Sequence, residues 1–144
     1  MLDVAKLQPI ANRVIDQAFS SGLASLAEHD RVFFVLWSYP AMVDSGGFPA
    51  FFYNSPADYY EETVGALRQL GLADHAELLE QAAAILFSSD VPATTEARNA
   101  AMGELLDDAG MDEAFEKLYR AFVDRGGGDR VLGVLQDWYF SRVD

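Results

Sequence analysis

Residues Gly46 to Tyr60 read GGFPAFFYNSPADYY. Two adjacent glycines are followed by a dense run of aromatics, and Glu61 and Glu62 stand just beyond. Two local structures fit these residues. In the first, Gly46–Gly47 reverses the chain, because glycine takes positive φ without steric cost. Phe48, Phe51 and Phe52 then plug a core at helical spacing, and Asn54–Ser55 caps the next helix. In the second, the aromatics wall a cleft, with Asn54 or Asp44 as polar handles. Aromatics at i, i+3, i+4 form a core far more often than a cage, so the segment reads as a helix–turn–helix corner.

The periodicity on either side of this corner is helical, and no β-branched run alternates at period two. A first helix is expected from about Gln8 to Leu26, with Ile10, Val14, Ala18 and Phe19 on one face. Asp30 can cap a second helix through Phe33, Phe34, Leu36 and Trp37, which Pro40 should kink or stop and Gly46–Gly47 ends. Ser55-Pro56-Ala57-Asp58 is a helix start, with Ser55 as cap, Pro56 first in the helix and Asp58 closing a capping box. That helix points Ala57, Tyr60, Val64 and Leu67 inward and Asp58, Glu61, Glu62 and Arg68 outward, and Gly71 ends it. The next runs from about Ala73 to Phe87, with Leu78, Ala82, Ile85 and Leu86 inward and Asp74, Glu77, Glu80 and Gln81 facing water. After the loop SSDVPATT, Thr95 caps a helix from Glu96 to Asp108. Asp112 caps one carrying the stripe Phe115, Leu118, Tyr119, Phe122. Asp129, after the glycines at 126–128, caps the last, with Leu132, Leu135, Trp138 and Tyr139 inward. The expectation is a single all-α domain over residues 1–144 with about seven helices.

A chain of 144 residues is one ordinary domain that buries roughly 68–70% of its unfolded surface. There is no Cys, which fits a reducing compartment. The first residues, MLDVAKLQPIANRVID, carry Asp3 and Asp16 and do not resemble a signal peptide. The longest near-apolar run, Val32 to Val43, is too short to span a bilayer of roughly 30 Å. A cytoplasmic location is therefore expected. The net charge is −13 and unevenly placed. Residues 1–55 carry −2, residues 56–116 carry −12 with Arg68 and Arg98 their only bases, and residues 117–144 carry +1. Such a field repels nucleic acid and anionic membrane and attracts basic proteins or cations.

The run from Gly46 to Phe87 resembles the bacterial DNA-mimic protein domain family, otherwise a domain of unknown function. The resemblance rests on a double glycine followed by Phe, then Phe and Asn, then a Leu-Arg-x-Leu-Gly phrase and an Ala-rich helix ending in Phe. Gly46, Gly47, Phe48, Phe52, Asn54, Leu67, Arg68, Gly71 and Phe87 carry that pattern. The C-terminal FEKLYRAFVDR and VLQDWYF match more loosely. Asp44–Ser45 departs from the Asn that tends to precede the glycines, and Pro40 interrupts a helix end. The resemblance implies an all-α, cytoplasmic, non-enzymatic domain. It does not imply that every member mimics DNA.

Carboxylates repeated at i, i+3 or i, i+4 lie about 5–6 Å apart on a helix and can imitate a strand of phosphates. Asp58, Glu61 and Glu62 form one such cluster, and Asp74, Glu77 and Glu80 a second. Glu104, Asp107 and Asp108 form a third, and Asp112, Glu113 and Glu116 a fourth, where Lys117 and Arg120 stand at i+4 to the two glutamates. The first three clusters are the expected partner face, the first two above all, and a basic DNA-binding protein or another basic protein is the expected partner. Direct nucleic-acid and membrane binding are not expected, and the oligomeric state is left open, a homodimer included. One alternative is an immunity- or antitoxin-like inhibitor of a basic toxin. Another is an enzyme or ligand-binding domain with a site at the Gly46–Asn54 corner. Catalysis is not expected. His29 and His75 are read as surface or capping residues, no phosphate loop or nucleophile elbow occurs, and no metal or other cofactor is expected.

Overall fold

The computed structural model describes residues 1–88, 90–103 and 109–143. Asp3 opens helix α1 (Val4–Ser21), its carboxylate accepting a hydrogen bond from the Ala5 N–H at 3.1 Å. The helix buries Leu7, Ala11 and Val14, spaced i, i+4, i+7. Phe19, expected on this face, points away from it and is 84% exposed. The buried stripe continues through Ala18, and a residue one position further on is rotated about 100° around the axis. Gly22, at φ 88°, ends α1, and a single 3₁₀ turn, Leu23–Ser25, leads to the next helix.

Helix α2 (Glu28–Tyr53) buries eleven of its residues, from Asp30 to Phe52, and is the hub of the fold. It packs against α1 and against every later helix: α3 (Tyr60–Gln69), α4 (Ala73–Phe87), α5 (Thr95–Met102), α6 (Ala109–Asp124) and α7 (Gly127–Val143). No strand occurs among the described residues, and none of their helices is long and apolar enough to cross a membrane. The architecture is all-α.

Pro40 does not stop α2. It lies buried where Gly128, at the start of α7, comes so close that a Cβ there would sit 3.0 Å from the Pro40 Cβ. The break falls at the double glycine. Gly47 adopts φ 75°, ψ −172°, a region essentially reserved for glycine. A Cβ on Gly46 would lie 2.9 Å from that of Ala50. The helix resumes at once, so the corner is a kink in one rod rather than a full reversal. The kink aims Phe48, Phe51 and Phe52 into the core, each fully buried. Phe51 and Phe52 stack edge-to-face at 5.2 Å, and Tyr39, Phe48 and Phe122 join the same cluster at 5.7–6.1 Å. Phe48, Phe51 and Phe52 are therefore core and do not wall a cleft, while Tyr53 is exposed. Asn54 donates its side-chain N–H to the Ala50 carbonyl, and Asp44 accepts from the Tyr119 hydroxyl.

Several caps differ from expectation because tertiary contacts claim the residues. Asp30 lies inside the first turn of α2 and is buried. Ser55–Tyr59 winds as a 3₁₀ turn before α3, so the Ser55–Asp58 capping box does not form. Thr94, not Thr95, caps α5, accepting from the Ala97 N–H at 3.1 Å. Asp112 and Asp129 lie in the first turns of α6 and α7, not before them. The expected continuation of α5 to Asp108 falls outside the described residues. Helix α4 takes the span expected of it, with Leu78, Ala82 and Leu86 buried.

Gly47→Ala forces a side chain into a glycine-only backbone region, which costs about 1–3 kcal/mol. Urea unfolding should show a lower midpoint with an unchanged slope. An unchanged midpoint would mean that the break relocates without strain.

Candidate functional site

The acids expected to face a partner do not all share one environment. Glu61, Glu62 and Glu77 are exposed and make no ion pair among the described residues. Asp58, Asp74 and Glu80 each hold a cation. Asp58 accepts from Arg98 at 2.6 Å, Asp74 from Arg130 at 2.6 Å, and Glu80 from Arg68. Glu116 pairs with Arg120 at 2.5 Å along α6. Glu104, Asp107 and Asp108 lie outside the described residues.

Between α3, α4 and the loop that follows α4 lies a groove of about 520 Å³. Asp58, Glu61, Glu62, Glu80 and Asp90 line it, together with Tyr60. Its floor is made of small side chains, among them Ala57, Ala83 and Ala84. Glu80 of the second acidic cluster thus faces Asp58, Glu61 and Glu62 of the first across α3 and α4, and Asp90 joins them from the loop. Glu77 lies one helical turn before Glu80, and Asp74, tied to α7, is not part of the groove. Five carboxylates in one concave surface favour a cationic guest. Among the described residues no three His, Cys, Asp or Glu side chains converge as metal ligands do.

One wall of this groove is fixed by a residue the sequence reading passed over as a lone base. Arg98, on α5, is fully buried. Its Nε donates to the Phe52 carbonyl at 2.9 Å, and its Nη1 to the Pro92 carbonyl at 3.0 Å. Its Nη2 donates to the Asn54 carbonyl at 3.1 Å, the Thr95 hydroxyl at 3.0 Å and Asp58 at 2.6 Å. The planar fork of Arg suits such convergent acceptors, where a Lys ammonium would not. The guanidinium joins the end of α2, the 3₁₀ turn, the loop and α5, and it sets Asp58 at the groove edge. The only signal in the sequence was that 69–97 is empty of bases and a single Arg follows.

His75 is neither a surface residue nor a cap. It is fully buried near the start of α4, edge-on to Phe122 at 5.2 Å. Its Nε2 lies 3.0 Å from the Arg125 carbonyl, which can only accept, so Nε2 carries the proton. Nδ1 has no hydrogen-bond partner. Burial pushes this imidazole below its ordinary range and keeps it neutral. Around it, Arg125 donates to the Asp74 carbonyl and Arg130 donates to the Asp74 carboxylate. Burial alone would raise the Asp74 carboxyl, but the hydrogen bonds from Arg130 and the His75 N–H outweigh it and hold it low.

A second network ties α1 to α2 and α7. Arg13 donates to both oxygens of buried Asp30 at 3.0 Å, and the Tyr139 hydroxyl donates to Asp30 at 2.8 Å. These bonds hold Asp30 below the usual carboxylate range against its burial. Burial and the bond to Asp30 push Tyr139 up to about 12. His29 is half-buried beside this network, with Nε2 3.7 Å from Asp30.

Arg98→Ala removes the donor shared by the Phe52, Pro92 and Asn54 carbonyls and Asp58, of which Asn54 keeps only the Ala57 N–H and Asp58 only the Thr95 hydroxyl, and should destabilise by about 3–5 kcal/mol. Asp58→Asn should lose only about 1 kcal/mol, because Arg98 keeps four acceptors and Asp58 is partly solvated. Chemical denaturation of both variants checks the order; equal losses would overturn the assignment of Arg98 as the staple. Because the folded His75 has a lowered pKa, the unfolded chain takes up its proton first as pH falls. Stability should therefore decline below about pH 6.5, and His75→Gln should flatten the decline measured between pH 7 and 5.

A family model described as DMP19-like protein matches residues 24–139. No curated protein and no solved structure matches the chain.

Proposed function

Since the chain belongs to the DMP19-like protein family, we propose that it acts as a DNA mimic, its acidic surface occupying the DNA-binding site of a basic protein. The observation that carries this reading is the groove between α3 and α4, where Asp58, Glu61, Glu62, Glu80 and Asp90 converge. Proteins that bind duplex DNA draw much of their affinity from Lys and Arg placed against closely spaced phosphates. Carboxylates on neighbouring helical turns offer charges at comparable spacing. Glu61, Glu62 and Asp90 are available to such cations. Asp58 and Glu80 already hold Arg98 and Arg68 and are thereby fixed in place, which lowers the entropy lost on binding. The −12 over residues 56–116 adds a long-range field that steers a basic partner. The protein acts in this reading by binding, without catalysis or cofactor, in the bacterial cytoplasm where the DNA and its binding proteins are.

The test uses a triple variant, Glu61→Lys, Glu62→Lys and Glu77→Lys, beside a control that reverses Glu113, Asp124 and Asp137 elsewhere on the surface. Capture of basic DNA-binding proteins from the host lysate is measured with and without competing duplex DNA. The expected result is capture that duplex DNA abolishes, that weakens steeply as salt rises, and that falls at least about tenfold in the first variant but not in the control. Capture indifferent to duplex DNA, or equal in the two variants, overturns the reading.

A further inference from the structure

Beside the acidic groove lies a second one, of about 300 Å³, between α1, α2 and the 3₁₀ turn. Its apolar lining comes from Ile15, Phe19, Phe34, Val35, Pro56 and Tyr59. Phe34 and Tyr59 meet edge-to-face at 5.6 Å and form its inner wall. Phe19 stands at its rim, 84% exposed. Single exposed apolar residues are common, but an exposed aromatic beside an apolar groove marks a contact surface. Asp58 lines both grooves, so the apolar surface runs directly into the acidic one.

Resting on the mimic reading, we infer that the partner is held by both grooves: its cations lie on the acidic groove while an adjoining apolar side chain enters the groove at Phe19. The occupant is a basic protein segment that carries an apolar anchor next to its Lys and Arg residues. Charge selects it. A second copy of this chain would bring a net −13 against a net −13, with Asp58, Glu61 and Glu62 at the contact. An anionic membrane is repelled by the same groups. The apolar contact gives this partner what duplex DNA lacks, a salt-independent contribution that separates one basic protein from others of similar charge.

The test uses two synthetic helical peptides of equal Lys and Arg content, one with a central Phe and Leu, the other with Ala at both places. Their binding to the full chain is measured by fluorescence anisotropy over a range of salt. The anchored peptide should bind about tenfold more tightly. Phe19→Ser, at an exposed position that leaves the core untouched, should erase that preference and leave the salt slope of both peptides unchanged. Glu61→Lys with Glu62→Lys should weaken both peptides alike and flatten the slope. Equal binding of the two peptides, or a preference that survives Phe19→Ser, overturns the apolar contact while leaving the acidic groove intact. Binding that ignores the Glu61 and Glu62 reversals overturns the mimic reading and this inference with it. A dimer that Phe19→Ser converts to monomer in sedimentation, with no change in peptide preference, assigns the groove to a second copy and likewise overturns the inference.

Discussion

A single buried guanidinium carries much of the arrangement of this protein. Arg98 has no exposure to solvent, and its N–H groups reach acceptors on four separate segments. Two of those acceptors, the Phe52 and Asn54 carbonyls, lie at the end of α2; the Asn54 carbonyl also takes the Ala57 N–H at 3.2 Å, while Pro56, four residues beyond Phe52, has no N–H to offer it. A third, the Pro92 carbonyl, belongs to the loop after α4. A cation taken out of water needs such compensation, and partial compensation would be worse than an apolar core. The loop, the 3₁₀ turn and α5 are consequently not free to move independently of α2. The edge of the acidic groove inherits that rigidity through Asp58.

The second constraint is the double glycine. A straight α2 would carry Phe48, Phe51 and Phe52 past the core. The kink at Gly46–Gly47 redirects them, and all three are buried. The same rod packs on every other helix, so its bend sets where the later helices settle. Pro40, expected to kink or stop α2, instead lies buried against Gly128 at the start of α7. The phrase that carries the family resemblance thus has a structural reason for its glycines, phenylalanines and asparagine, independent of what the surface binds.

Acidic residues in this fold divide into two populations. Asp30, Asp58 and Asp74 are joined to arginines and clip helices together. Glu61, Glu62, Glu77 and Asp90 stand without such partners among the described residues and contribute repulsion rather than stability. In the mimic function proposed above, a basic partner neutralises these unpaired charges. The apolar groove at Phe19 adjoins this charge, and the proposed partner, both basic and apolar, would engage the two together.

The helices were legible in the sequence because their apolar stripes repeat at 3.6 residues, and α4 occupies the span read for it. The corner was legible because glycine pairs and aromatic spacing have local causes. The concentration of charge in the middle of the chain follows from composition alone. What the sequence could not disclose were the partners of polar side chains. Asp30, Asp58 and Thr95 look like helix caps, since a nearby helix start is the commonest local use of such residues. Arginines distant in the chain claim Asp30 and Asp58, and Thr95 turns to Arg98 instead. His75 reads as a surface or capping residue because polar residues mostly are exposed, and Arg98 reads only as a lone base; packing alone shows that His75 meets Phe122 and that Arg98 fills a cage of carbonyls. The meeting of Glu80 with Asp58, Glu61 and Glu62 in one groove is likewise a fact of how α3 folds against α4. Periodicity, charge and backbone freedom are properties of neighbouring residues and can be read along the chain. Which acid is paired and which remains available depends on residues brought together across it, and that was decided by the tertiary structure.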